Sequence, residues 1–266
     1  MRTLVSIIIL FVFSVSAYAQ DIITAAEAKK LVNNKSTIIV STRPAADYAK
    51  VHINGAVHID VEDLASKTDP KGILKSPTEL ASLLGAKGID PSKKVIIYDT
   101  GLGNNSGRLY WILKYLGFSD VKILDGHING WRTARGPVTN AATKETATTF
   151  TPTVNSKIFA DINYVKSKMS SAVLVDVRDD AEFAQGTIKG SIHLEYKKVV
   201  NEDGTLKSKA ELEKLFNDAG IVKSKEIIIY CATSVRSGIV FLALTSVLEY
   251  PNVKVYEGAY NEWKLN

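Results

Sequence analysis

The segments Ala46-Asp47-Tyr48 with His52-Ile53-Asn54-Gly55-Ala56-Val57-His58, and Ala181-Glu182-Phe183 with Thr187-Ile188-Lys189-Gly190-Ser191-Ile192-His193, are two versions of one motif, and reading them so decides the fold. Glu182 lies 135 residues after Asp47, and Gly190 lies 135 after Gly55. Two further blocks follow in the same order at a spacing of 132. Val95-Ile96-Ile97-Tyr98-Asp99 matches Ile227-Ile228-Ile229-Tyr230-Cys231, and Asp125-Gly126-His127-Ile128-Asn129-Gly130-Trp131 matches Glu257-Gly258-Ala259-Tyr260-Asn261-Glu262-Trp263. Four ordered blocks at nearly one spacing indicate duplication. The spacing is that of a domain, so the chain is two copies of one fold and not a solenoid. Residues 21–136 and 155–266 are expected to be the two copies. Residues 137–154, within the Thr- and Ala-rich stretch Pro137–Ser156 that has no apolar period, are expected to link them.

Within each copy, short β-branched runs alternate with amphipathic stretches. Ala172–Val177, Glu226–Tyr230 and Asn252–Tyr256 are unbroken apolar strand candidates, as in a parallel sheet covered on both faces. Thr37–Ser41, Lys94–Tyr98 and Asp120–Leu124 repeat the order in the first copy. Ser208–Ala219 and Ser237–Tyr250 carry helical apolar spacing, and Ser208 three residues before Glu211 forms a capping box. The class is α/β, each copy a mainly parallel sheet flanked by helices.

The 266 residues are 45% hydrophobic and 23% charged with a formal net charge of +5, which excludes collagen-like, disordered and disulfide-stapled classes. The mild basic excess leans towards small anionic ligands and gives no argument for nucleic acid. Residues 1–19 stand apart. Arg2, the apolar stretch Leu4–Val15 and Ala17-Tyr18-Ala19 have the form of a signal peptide with its cleavage site, so a periplasmic or secreted protein with no membrane anchor is expected. An exported chain would ordinarily pair its cysteines, yet Cys231 is the only one. It is either a small buried hydrophobe or a chemical group.

Its context favours chemistry. Cys231 directly follows the strand candidate Ile227–Tyr230, at the end of a parallel sheet where ligand loops lie, and a helix begins near Arg236-Ser237-Gly238. The intervening Ala232-Thr233-Ser234-Val235 is small enough to curl round the sulfur, offering backbone N–H groups and a helix start to an anion. Arg236 adds a fixed positive charge, and all three favour thiolate.

At these residues the chain resembles the tandem-domain rhodanese-type sulfurtransferases that act on thiosulfate or 3-mercaptopyruvate. The likeness is carried by Val175-Asp176-Val177-Arg178, Glu182-Phe183, Gly190-Ser191, the Cys231–Arg236 loop and Tyr256–Trp263, and it covers all of the chain after residue 19. It implies two rhodanese-like domains, the second carrying the nucleophile Cys231 and the first a silent copy that helps to form the cleft; Asp99 stands where a cysteine would be. It further implies transfer of a sulfane sulfur through a Cys231 persulfide to a thiol or cyanide, with no metal or organic cofactor. Arg178, in its Asp-x-Arg segment, and Arg236 would hold the donor's anion, Ala232, Ser234 and Val235 would supply loop backbone, and Thr233 would face the donor. A hydroxyl at Thr233 tilts towards mercaptopyruvate; thiosulfate-preferring members have a basic residue there. Ser234 stands where many members have glycine, so a positive φ would strain it. Related phosphatases use Cys-x5-Arg, whereas position 237 is Ser237 and Arg236 closes a Cys-x4-Arg loop. A non-catalytic binding module is the alternative reading, and a monomer is expected.

Other residues have blander readings. Arg178 could be ion-paired with Asp176 or Asp179. His52, His58 and His193 fit no closed zinc spacing and read as turn residues. His127 is expected on a helix surface, Trp131 and Trp263 in the two cores, and Lys197 and Lys198 either beside the cleft or in solvent. Asn104, Asn105 and Gly107 lack the ending of a phosphate loop.

Overall fold

The structure is a computed structural model that describes residues 21–144 and 146–266; the signal segment lies outside them. Twelve strands occur among these residues: β1 Ile22–Ile23, β2 Thr37–Ser41, β3 His52–Ile53, β4 Ala56–His58, β5 Lys94–Tyr98, β6 Val121–Leu124, β7 Val138–Thr139, β8 Phe159–Ala160, β9 Val173–Asp176, β10 Ile192–His193, β11 Ile227–Tyr230 and β12 Val253–Tyr256. One five-stranded sheet runs β1-β6-β5-β2-β4 and the other β8-β12-β11-β9-β10, every neighbouring pair parallel. The second order is the first repeated, so the spacing read in sequence is a repeat of topology. In both copies the central strand, β5 or β11, is buried along its apolar run because helices cover both faces. The Lys209–Asp218 helix is capped at Ser208 with Glu211 answering.

The helix after β5, Asn104–Tyr115, buries every residue from Ser106 to Leu113, and the helix after β11, Ser237–Leu242, is buried throughout. Helices buried all round have partners on all sides. Here each lies between its own sheet and the other copy, and one apolar cluster runs through both domains, from Leu109 and Ile112 to Ile239 and Leu242. The two helices cross at Gly107 and Gly238, where a Cβ on Gly238 would lie 2.2 Å from the Gly107 carbonyl carbon.

One local expectation changes, and the Pro137–Ser156 connection is bound to the first copy. Val138–Thr139 pairs with His52–Ile53, and Thr148, Thr153 and Asn155 donate backbone hydrogen bonds to Gly85, Leu116 and Tyr115 of the first copy. Such pairing uses backbone alone and leaves no apolar period in the sequence. Trp131 is fully buried, but Trp263 only half so.

Candidate active site

Each copy sends a short hairpin over the loop of the other. In the first copy Ala65 pairs with Leu74, and the hairpin reaches the Cys231 loop. The Leu74 N–H donates to Glu257 Oε1, and Gly72, at φ 98°, lies so close to Thr233 that a Cβ there would come within 2.8 Å of the Thr233 Cβ. In the second copy Val200 pairs with Leu206, whose N–H faces Asp125 Oδ1 at 3.4 Å, and Gly204 packs on Gly101 and His127. Leu74 and Leu206, and Asp125 and Glu257, are each 132 apart, so the contacts are two-fold equivalents. The first pair of contacts encloses a cavity of about 350 Å³ lined by Val61, Lys71, Gly72, Arg108, Thr233 and Val235 among others.

Cys231 is fully buried at the carboxyl end of β11. Its carbonyl and that of Ala232 accept from the N–H groups of Tyr260 and Asn261, at 2.9 and 3.1 Å, which fixes the loop's entry. Among the described residues no carbonyl or side chain accepts from the N–H groups of Ala232, Thr233, Ser234 or Val235. In the first copy Asp99 stands in the cysteine's place, with Oδ2 accepting from the Asn105 N–H at 2.9 Å and Oδ1 buried without a partner among the described residues. Burial raises the Asp99 carboxyl to about 6.

Ser234 adopts φ 60°, and its hydroxyl faces the carbonyls of Tyr256 and Glu257, the latter at 3.0 Å. A serine therefore holds a left-handed position that favours glycine, with a hydrogen bond to offset the strain. Thr233 and Val235 line the cavity. Arg236 sits beside the Cys231 sulfur, but its guanidinium is forked onto Glu182, with Nη2 to Oε1 at 2.8 Å, and onto Asp179 at 2.8 Å. Burial works against its charge, yet Glu182 and Cys231 together raise it.

Arg178, expected to hold the donor's anion or to pair with Asp176 or Asp179, is paired with Asp176. The guanidinium is buried, forked onto Asp176 with Nε to Oδ1 at 2.9 Å and Nη2 to Oδ2 at 2.6 Å, bonded to the Gly186 carbonyl at 2.6 Å, and stacked 3.9 Å above Tyr260. Arg43, its counterpart 135 residues earlier, likewise bonds the Val51 carbonyl at 2.6 Å in a copy with no nucleophile. This carbonyl contact is thus common to both copies. His58 and His193 are turn residues that bond the carbonyls of Arg43 and Arg178, each at 2.8 Å. Lys197 is paired with Asp179 and Glu195, and Lys198 is exposed. Among the described residues no cluster of three metal-ligating side chains occurs.

His127 is also corrected. It is fully buried, at φ 50°, with both ring nitrogens unpartnered, and burial lowers it to about 4. The hairpin of the second copy covers it, a contact that a reading of one copy does not contain. Two residues of the cavity region were missed. Arg108 lies in the apolar run of the Asn104–Tyr115 helix, and Glu257 follows β12; burial raises the Glu257 carboxyl to about 7 against the pull of Arg108. The available signal was the repeat itself, since Arg108 aligns with Val240.

The family model described as "Rhodanese-like domain" matches residues 24–134 and 161–266. The chain is 31% identical over 233 residues to the 3-mercaptopyruvate sulfurtransferase of Escherichia coli strain K12, covering 82% of each. It is 28% identical to the thiosulfate sulfurtransferase of Pseudomonas aeruginosa, covering 85% of this chain and 87% of that one. A solved Escherichia coli structure with the rhodanese fold of 3-mercaptopyruvate sulfotransferases superposes with a TM-score of 0.83 at 27% identity, over 90% of this chain and 98% of that one. An anaerobic ergothioneine biosynthesis enzyme from Chlorobium limicola, 23% identical, shares the fold with a TM-score of 0.85 over 93% of this chain and 68% of that one. With two matched domains and a full-length likeness to enzymes of this kind, the chain belongs to the rhodanese-like family as a two-domain sulfurtransferase.

Proposed function

We propose that the protein moves a sulfane sulfur from thiosulfate or 3-mercaptopyruvate to a thiophilic acceptor, a thiol or cyanide, through a persulfide on Cys231. The observation that carries this reading is a buried cysteine at the carboxyl end of β11, followed by four loop residues, Ala232 to Val235, whose N–H groups have no acceptor among the described residues, with Arg236 beside the sulfur. The thiolate attacks the outer sulfur of thiosulfate; the S–S bond breaks, sulfite leaves with its electron pair, and Cys231–S–S⁻ remains. With 3-mercaptopyruvate the C–S bond breaks, the carbon keeps the pair and takes the thiol proton, and pyruvate leaves. The acceptor then removes the outer sulfur and restores the thiolate. Each substrate meets a different covalent form, so the kinetics are ping-pong.

Incubation with donor alone should add the mass of one sulfur atom to the peptide containing Cys231. Cys231→Ser should show no such gain and no turnover, because a serine alkoxide is scarcely populated near neutral pH. Turnover surviving that substitution overturns the reading. The Thr233 hydroxyl on the cavity wall supports 3-mercaptopyruvate as the better donor, which side-by-side kinetics decide. The same reading has a monomer act in the periplasm or outside the cell after loss of residues 1–19; N-terminal sequencing of protein isolated from its source tests the processing.

A further inference from the structure

We propose that Arg108, a residue of the first copy, receives the anionic group of the sulfur donor in front of the Cys231 loop. The proposal rests on the sulfur-transfer reading and names the contact that selects its donor. Arg108 lines the same cavity as Thr233, Val235 and Lys71. It is 1% exposed; Nη2 donates to the Gly72 carbonyl at 2.8 Å, the guanidinium lies 5.1 Å from the centre of the Trp111 ring, and Nη1 has no hydrogen-bond partner among the described residues. A buried guanidinium N–H without an acceptor is costly, and a carboxylate or sulfonate oxygen is the acceptor its geometry suits.

The two-fold relation between the copies sharpens the argument. The Asn104–Tyr115 and Ser237–Leu242 helices follow equivalent strands and pack on each other at Gly107 and Gly238. At the repeat spacing of 132, Arg108 on the helix of the first copy corresponds to Val240 on that of the second. The cation is present only opposite the thiol. The two arginines of the second copy do not replace it, since Arg178 is held by Asp176 and Arg236 by Glu182 and Asp179. Burial lowers the pKa of Arg108, and the charges of Glu257 and Cys231 oppose that. Glu257 is thus a carboxylate close enough to compete with a donor anion.

Ping-pong kinetics separate anion binding from a structural role, because kcat/KM for each substrate reports only its own half-reaction. In Arg108→Met, kcat/KM for thiosulfate and 3-mercaptopyruvate should fall roughly 10- to 150-fold, the value of one charge-assisted hydrogen bond. The value for a neutral thiol acceptor, dithiothreitol, should be unchanged. Arg108→Lys should recover part of the donor loss. Glu257→Gln, which keeps an acceptor for the Leu74 N–H and removes the competing charge, should lower the donor KM several-fold. An unaltered donor kcat/KM in folded Arg108→Met, or an equal fall for donor and acceptor, overturns the proposal. If Arg108→Met does not fold, Glu257→Gln decides, and an unchanged or raised donor KM overturns it. Calorimetric titration with sulfite and pyruvate reads the anion site without turnover. Should the wild type transfer no sulfur, the functional reading fails by itself, while anion binding that is weakened in Arg108→Lys still supports the site and its absence in wild type overturns it.

Discussion

Glu257 and Asp125 each take a backbone N–H from the other copy's hairpin, yet only Glu257 stands beside a buried arginine. Burial outweighs that neighbour and raises the Glu257 carboxyl from 4.5 to about 7. The folded protein therefore keeps this proton where the unfolded chain has released it, and between pH 4.5 and 7 the folded state binds more protons. The stability contributed by Glu257 falls as pH rises through that window, by about 3 kcal/mol in all. Glutamine imitates the protonated acid at every pH. Wild type and Glu257→Gln should thus unfold with similar free energy near pH 4.5, and the variant should be the more stable by up to that amount at pH 8; urea titrations at both pH values check this, and a pH-independent difference would refute it. Asp99 has no role in the Cys231 chemistry, so Asp99→Ala should leave donor and acceptor kcat/KM at wild-type values in the same assays.

The helix crossing at Gly107 and Gly238 is the element on which the site geometry depends, because it sets the distance between Arg108 and the Cys231 loop. A Cβ at Gly238 would meet the Gly107 backbone at 2.2 Å and the Arg108 nitrogen at 2.5 Å, and backbone cannot rotate away. Gly238→Ala should push the helices apart at a cost of about 1–3 kcal/mol, the usual penalty of overpacking, and lower donor kcat/KM with it. Thermal unfolding and kinetics on one preparation test both parts. The inner strands were legible because β2, β5, β9, β11 and β12 are four- or five-residue apolar runs bounded by polar residues. The edge strands β1, β8 and β10 have two residues each, too few to show a period, and they form only because an inner strand offers its free edge. The two hairpins were illegible for another reason: Ala65–Leu74 and Val200–Leu206 are shaped by the loops they cover, which lie in the other copy. Arg178 carried two readings in the sequence, donor ligand and ion pair. Its Asp-x-Arg segment ends a strand beside the loop, but only the folded contact with Asp176 shows that its charge is already matched.

At the scale of the molecule, duplication was fully visible in the spacing of the blocks, whereas the interlocking of the copies was not. Each loop is closed by the other copy's hairpin, and the cavity in front of Cys231 has walls from both. Retention of a copy with Asp99 in place of cysteine follows, since it supplies Gly72, Lys71 and Arg108 to the site. Asp21 also ties the halves, with its N–H on Ser246 Oγ at 2.9 Å and its carboxylate accepting from Tyr110 at 2.6 Å. Covalent continuity through the connection should therefore matter less than the shared core. Ala142, Lys144, Thr146 and Ala147 are exposed, while the connection on either side is hydrogen-bonded to the first copy. Trypsin under native conditions should cut at Lys144 first. The two fragments should then co-elute in gel filtration and keep sulfur transfer, held by the apolar cluster that runs from Leu109 to Leu242. Residues 155–266 produced alone should instead expose the Ser237–Leu242 helix, aggregate, and show no transfer even though they contain Cys231; co-production with residues 21–154 should restore both solubility and activity. A soluble, fully active second half would show that the first copy contributes nothing to the site.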